Sequence, residues 1–246
     1  MFDWPVEWFD ELDSTSEEAR RRVQNGYFPN CWIAARTQTA GRGRLGREWR
    51  SPIGNLFATV LFHHHANLSE ATKIPFVSAL AVADVFEAFA KEHPIELKWP
   101  NDVRCRGAKL SGILTEAGPL DDGCWVAVGI GINVSEVPKN LDQKASSLAE
   151  LRGNDAVTPD IALSELKSAF QKRMSECAQD FESTRRAWLS RAEGLGETIS
   201  VKRGNDRITG VFEGLGANGE LLLRQSDKEL IIITAGDVEL VKEKVI

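Results

Sequence analysis

A chain of 246 residues, 42% hydrophobic and 27% charged, is an ordinary globular composition and excludes disordered and fibrous classes. A net charge of −6 and a pI near 5.4 argue against a general nucleic-acid binder, which presents a broad basic face. Four widely spaced cysteines (Cys31, Cys105, Cys124, Cys177), with no C-x-x-C pair, fit buried thiols in a reducing cytosol better than a disulfide frame or a zinc site. The N-terminal MFDWPVEWFDELDS lacks a basic region followed by an apolar core, and no apolar run reaches membrane-spanning length. The expected location is cytoplasmic.

In chain order, LDSTSEEARRRVQNG from Leu12 reads as a helix start, with Ser14 and Glu17 as a capping box and Gly26 as the stop. NCWIAARTQT (30–39) and NLFATVLFHH (55–64) are apolar and β-branched enough for strands, joined by a glycine–arginine segment. From Ser69 to about Glu92, Ala, Val and Phe recur at helical spacing, with Pro75 tolerated near the start. IELKW (95–99), AKLSGILTEAG (108–118) and CWVAVGIGINV (124–134) read as strands. Thr158-Pro159-Asp160 opens a long helix that runs toward Ala192 with one break. After Gly194 the texture changes to short alternating strands with Gly-rich turns, ETISVKRG, ITGVFEGLGANGELLLRQ and KELIIITAGDVELV. The expected architecture is α+β: a mixed β-sheet with packed helices over 1–193, followed by a small SH3-like β-barrel over 194–246.

The segment TQTAGRGRLGREWRSP (37–52) concentrates charge against the average. Residues 36–50 hold five arginines and one glutamate, +4 in a chain of −6. Crowded arginines repel, and ordering glycine costs backbone entropy, so an anion is the natural compensation. GRGRLG matches G-x-G-x-x-G in letters, but REWRSP follows it and not a helix; G-x-x-x-x-G-K-[ST] is absent. Two readings stand: a loop whose arginines close over a polyphosphate through paired N–H donors, or a solvated basic hairpin loop.

KWPND (98–102) is a strand ending at Pro100, which predicts Asn101 and Asp102 on a turn. In the following strand, two-residue alternation predicts Lys109 and Ser111 on one face, where Lys109 faces a carboxylate or phosphate or is simply a surface lysine. GIGINV (129–134) supplies glycines that let a ligand approach the backbone, then Asn133 to read a ring edge.

Taken together, LDSTS (12–16), TQTAGRGRLGREW (37–49), SPIGNLFATV (51–60), KWPND, KLSGILTE (109–116) and GIGINV resemble the biotin–protein ligases, also called biotin–[acetyl-CoA-carboxylase] ligases. The terminal GLGANGELLL…IIITAGDVEL is similar to that family's terminal barrel. The resemblance implies a class II synthetase-like fold over 1–193 as a biotin/ATP-binding ligase domain. It also implies a two-step reaction: biotin and ATP give biotinyl-5′-AMP and pyrophosphate, and a lysine of a biotin carboxyl carrier protein domain then displaces AMP. On the family pattern Arg42, Arg44 and Lys109 lie around the biotin carboxylate and α-phosphate, with Mg²⁺ on the phosphates and no side chain assigned to it. Ser14, Thr15, Ser16 and Gln38 take the ureido and thiophane side; Ser16 stands where the family usually has Asn. Gly112 gives backbone access to biotin, Gly41 and Gly43 are also on the biotin side, and Asn101, Trp49 and Asn133 belong to the ATP side, with a place in the core as the other reading of Trp49. Asp102, beside Lys109, is the candidate either to accept the acceptor lysine's proton or to hold that lysine in place.

The R-R-x-S-G-G-G stretch of lipoate–protein ligases is missing, which leaves lipoate or another acyl donor as the alternative. LDST begins at residue 12, so no DNA-binding helix-turn-helix is expected before it. A homodimer is open. His63-His64-His65 suggests metal, but only His63 and His65 share a strand face and no carboxylate or cysteine stands at ligand spacing beside them, so no metal is expected there.

Overall fold

The computed structural model describes residues 3–26, 28–138, 143–154, 156–203 and 206–241. In order these form β1 (Val6–Leu12), α1 (Thr15–Gln24), β2 (Cys31–Gln38), β3 (Leu56–His64), α2 (Ile74–Phe89), β4 (Glu96–Lys98), β5 (Asp102–Cys105), β6 (Ala108–Leu120) and β7 (Gly123–Ile132). Then come α3 (Leu148–Arg152), α4 (Pro159–Gln179), α5 (Phe181–Leu189), β8 (Thr198–Arg203), β9 (Asp206–Leu215), β10 (Leu221–Arg224), β11 (Leu230–Ile233) and β12 (Asp237–Leu240). Gly204 of the expected ETISVKRG strand and residues 242–246 of the expected barrel lie outside the described residues. No described helix is long and apolar enough to cross a membrane.

The first seven strands make one mixed sheet in the order β1-β2-β3-β7-β6-β5-β4. Only β1 and β2 run parallel, and α1 makes the crossover that a parallel pair requires. Along β2, Trp32 and Ala34 face the large core with α2 and α4, while Cys31 and Ile33 face α1 with Ala19, Leu61 and Ala127. Because both faces are covered, the strand reads as a continuous apolar run. Val77, Leu80, Ala81 and Phe86 of α2 are fully buried. Truncating a leucine in such a place costs about 2–5 kcal/mol.

Helix ends follow their caps. The Thr158 side chain accepts from the Ile161 N–H and Pro159 stands in the first turn of α4. The expected break falls at Asp180, an extended residue whose carboxylate accepts from the N–H groups of Glu182 and Ser183 and restarts the chain as α5. Helix α1 differs from expectation. Ser14 is its N-cap by backbone but makes no side-chain cap hydrogen bond. The Ser14 N–H goes to the Asp13 carboxylate and Glu17 pairs with Arg42, so neither half of a capping box is available.

Two further differences shape the site. Asp102 is not on the turn but opens β5, paired with Lys98 across β4 and with Gly112 across β6. The β5–β6 register also shifts between Val103 and Arg104: Arg104 pairs with Lys109, and Val103 with Ser111. The extra residue, Leu110, turns into the large core, as does Ile113. The alternation is thereby reset, so Lys109 shares its face with Gly112 and not with Ser111, whose buried hydroxyl donates to the Gly131 carbonyl.

The second sheet is antiparallel, in the order β11-β10-β9-β8-β12. Its inward residues Ile199, Val201, Phe212, Leu221 and Leu223 join the same core as the large sheet. Trp99 Nε1 donates to the Gly219 carbonyl across the junction. A fourth correction concerns the histidines. The β6–β7 turn carries Asp122 to His63 and His65, so a carboxylate does accompany them.

Candidate active site

A cavity of about 640 Å³ opens on the α1 face of the large sheet, a volume in the range of small-molecule sites. Its floor is β6 and β7, where Gly112 and Gly131 are direct cross-strand partners. The Trp49 ring rests on both, in the space where a Cβ of either glycine would stand. Its wall is the segment 41–50, which is folded as a small hairpin. Trp49 N–H donates to the Gly41 carbonyl, and Gly43 N–H to the Arg47 carbonyl at 2.7 Å. At the tip Leu45 holds a left-handed φ of 56° and is 79% exposed.

One end of the cavity is neutral and polar. Gln38 Oε1 accepts from the Thr15 N–H at 2.8 Å, and Gln38 Nε2 donates to Ser51 Oγ. Thr59, fully buried, donates to the Thr15 hydroxyl at 2.8 Å and meets Ser16 at 3.3 Å. Ser14 is buried at the same end, with its hydroxyl not used as a cap. Such an end presents donors and acceptors without charge.

The other end is cationic. Arg42, Arg44, Arg47, Arg50, Lys98, Arg104 and Lys109 line the cavity against Glu48, Asp102, Asp237 and Glu239, a positive excess inside a negatively charged chain. Lys109 Nζ lies 2.7 Å from Asp102 Oδ1 and 5.3 Å from the Trp49 ring. Arg42 pairs with Glu17 and stands 3.9 Å from Glu116. Arg44 donates to Asn101 Oδ1 at 3.2 Å and reaches the Gly236 carbonyl and the Asp237 carboxylate. Burial pushes the pKa of both Arg44 and Lys98 below its ordinary value. Both groups therefore sit where an added anion is favoured.

The predicted residues thus meet around one cavity: Ser14, Thr15, Ser16, Gln38, Arg42, Gly43, Arg44, Trp49, Asn101, Asp102, Lys109, Gly112 and Asn133 all line it. Gly41 is adjacent, its Cβ position against the Trp49 carbonyl and Gln38. Two side chains have structural duties besides. Asn133 donates its amide to the carbonyls of Lys109 and Ser146, and Asn101 donates to Ile113 O. Trp49 Nε1 is buried without a hydrogen-bond partner, an unspent donor in the cavity wall.

Lys98, Arg104 and Asp237 were not singled out from sequence. Lys98 carried a signal, as the first letter of KWPND, one strand from Asp102. Arg104 is tied to Glu193 at 3.0 Å, and Asp237 arrives from the terminal sheet, so only the tertiary fold reveals them.

Residues 9–133 match the model of the biotin/lipoate A/B protein ligase family and residues 194–241 that of the biotin protein ligase C terminal domain. The chain belongs to the biotin/lipoate A/B protein ligase family, with the mixed sheet, helices and small SH3-like terminal domain of biotin ligases. It is 37% identical to a biotin–[acetyl-CoA-carboxylase] ligase of Paracoccus denitrificans, covering 86% of this chain and 91% of that one. It is 29% identical to the bifunctional ligase/repressor BirA of Bacillus subtilis over 95% of this chain and 73% of the other. A biotin protein ligase from Aquifex aeolicus, solved in complex with biotin and ATP, superposes with a TM-score of 0.81 at 31% identity, covering 98% and 100% of the two chains.

Proposed function

We propose that this chain is an ATP-dependent biotin–protein ligase that makes biotinyl-5′-AMP and passes the biotinyl group to a lysine of a biotin carboxyl carrier protein domain. The observation that carries the reading is the division of one cavity into a neutral hydrogen-bonding end and a cationic end. Biotin has that polarity: an uncharged ureido–thioether head and a carboxylate tail. Ser14, Thr15, Ser16 and Gln38 receive the head. Gly112 on the floor and Gly41 and Gly43 in the hairpin wall give the backbone access. The tail carboxylate meets ATP among Arg42, Arg44 and Lys109.

In the first step a carboxylate oxygen attacks the α-phosphorus, the bond to the bridging oxygen breaks, and pyrophosphate leaves. Negative charge gathers on the α-phosphate oxygens, and preorganised cations there lower the barrier. Mg²⁺ would accompany ATP as counter-ion of its phosphates and would supply further positive charge there, with no side chain assigned to hold it. Trp49 and Asn133 take the adenine side and Asn101 steadies Arg44. The segment 41–50 acts as a lid that keeps water from the mixed anhydride.

In the second step an amine of ordinary pKa about 10.4 must lose a proton before attack. Lys109, drawn to the phosphate, leaves the Asp102 carboxylate uncovered, and Asp102 accepts that proton. The amine nitrogen then bonds to the acyl carbon and AMP departs. Asp102→Asn is expected to keep adenylate formation within a few-fold while slowing transfer about 10²-fold. Equal losses in the two half-reactions, measured by single turnover, remove this role.

Residues 1–193 serve as the ligase domain and 194–246 as the barrel, a division supported by the separate matches at 9–133 and 194–241 and by the two sheets. The site of action is the cytoplasm, where carrier domains are made, and a homodimer is compatible with the exposed edge of β1. The deciding experiment is ATP–pyrophosphate exchange with biotin, lipoate or neither. Exchange that requires biotin is expected; exchange driven equally by lipoate, or indifferent to both acids, overturns the reading.

A further inference from the structure

The far end of the large sheet carries a second cluster of chemical groups. β3 and β7 pair from Leu56–Ile132, beside the cavity, to His64–Cys124 at the other end. Eight residues of strand at about 3.3 Å each put the two ends roughly 26 Å apart. At that far end β6 returns into β7 through the two-residue turn Asp121–Asp122, closed by the Leu120–Gly123 pair. His63 and His65, two residues apart, project from the same face, their ring centroids 4.2 Å apart. His63 Nε2 lies 3.1 Å from Asp122 Oδ1, and His65 Nδ1 lies 3.8 Å from Asp122 Oδ2. One ligand atom from each of the three residues falls within 4.8 Å of the others.

We propose that His63, His65 and Asp122 form a binding site for a borderline divalent cation of the Zn²⁺, Co²⁺, Ni²⁺ or Cu²⁺ type. Around a tetrahedral ion with bonds of about 2.0–2.2 Å, neighbouring donors stand about 3.3–3.6 Å apart, so closing the present separations by at most about 1.5 Å, shared between the side chains, converts them into coordination. Two imidazoles and one carboxylate select against Mg²⁺ and Ca²⁺, which require oxygen shells. The donors come from unlike supports. His63 lies in the β3 ladder and is the least exposed of the three, so its ring is held in place; Asp122 and His65 are exposed and adjust to it. In the metal-free form the imidazole of His63 is also 3.1 Å from the Asp122 main-chain carbonyl, a hydrogen bond that exchanges for the metal bond. Three protein donors leave a coordination position to water. Bound there, the ion clips the end of β3 to the β6–β7 turn. Cys124 is no part of the set: it is buried, with Sγ 3.6 Å from the Ala66 carbonyl.

The test is titration of metal-free protein, without nucleotide or biotin, using Co²⁺ followed by its visible absorption and Zn²⁺ followed calorimetrically. The expected result is one equivalent per chain, unaffected by millimolar Mg²⁺, with a melting temperature that rises on Zn²⁺ addition. His65→Ala and Asp122→Asn are each expected to weaken binding at least about tenfold and to abolish the thermal gain. Their metal-free melts and pyrophosphate exchange should match the parent, which separates loss of a ligand from loss of fold. Parental affinity in both variants, no uptake by the parent below millimolar ion, or displacement by Mg²⁺ overturns the proposal.

Discussion

Lys109 and Arg42 both end on carboxylates at the rim of one cavity, yet the two pairs are built differently. Lys109 and Asp102 sit on adjacent strands, β6 and β5, with similarly small exposures of 15% and 16%. Their backbones are fixed by the ladder, so the ammonium changes partner by a rotation of its own side chain. The arginines of the 41–50 hairpin are held by carboxylates from elsewhere: Arg42 by Glu17 of α1, Arg44 and Arg47 by Asp237 of the terminal sheet. Engaging an anion there means releasing contacts with two other elements. Strands thus supply charge that is preorganised, and the hairpin supplies charge that is stored in half-exposed pairs of small individual worth.

The comparison breaks most decisively at Lys109. Lys109→Ala is expected to lower kcat/KM for pyrophosphate exchange by about 10²–10³. A loss below tenfold would move the charge centre to the hairpin. The next effect is at Lys98, a strand cation on which Glu193 and Asp102 act only at longer range, with no ion pair in contact among the described residues. Lys98→Met should weaken exchange about tenfold yet raise the melting temperature, because the folded protein holds a charge that burial disfavours. The sign follows from the lowered pKa. Below it, the folded parent carries the full penalty; between it and the ordinary value of 10.5 the folded state sheds its proton first and gains stability. The variant's thermal advantage should therefore be largest at neutral pH and shrink as pH approaches 10.5, as melts across that range will check. The smallest effects test the hairpin. Glu17→Gln and Asp237→Asn remove competitors for arginine and should lower KM for ATP by up to about fivefold, with a steeper dependence on salt, since exposed pairs are worth about 0.2–1 kcal/mol. A rise in KM would mean that these carboxylates position the arginines and do not merely store them.

Much of this site was legible because its residues lie in short runs with strong local signals. Thr158-Pro159 and the glycine–arginine segment announce themselves by composition, and KWPND with KLSG places a strand cation near a carboxylate. The failures have physical causes. VEWFDEL, with three carboxylates in seven residues, gives no apolar alternation, and becomes β1 only because it edges the sheet beside β2. Strict alternation put Ser111 with Lys109; a bulge obeys register and core packing, which pull Leu110 and Ile113 inward and cannot be read from a two-residue period. The capping box failed through competition, since Glu17 has a better partner in Arg42. Asp122 lies 57 residues beyond His65 and reaches it only through the β6–β7 turn, so the histidines looked bare in sequence.

Arg44 spans Asn101, at the end of one sheet, and the Gly236 carbonyl, in the other. That single guanidinium ties the turn at residues 234–237 to the cationic end of the cavity. Sequence drift in this turn should be filtered by turnover and not by folding. A binding protein or engineered graft gripping that turn from outside is then expected to slow turnover through Arg44 while leaving the fold intact.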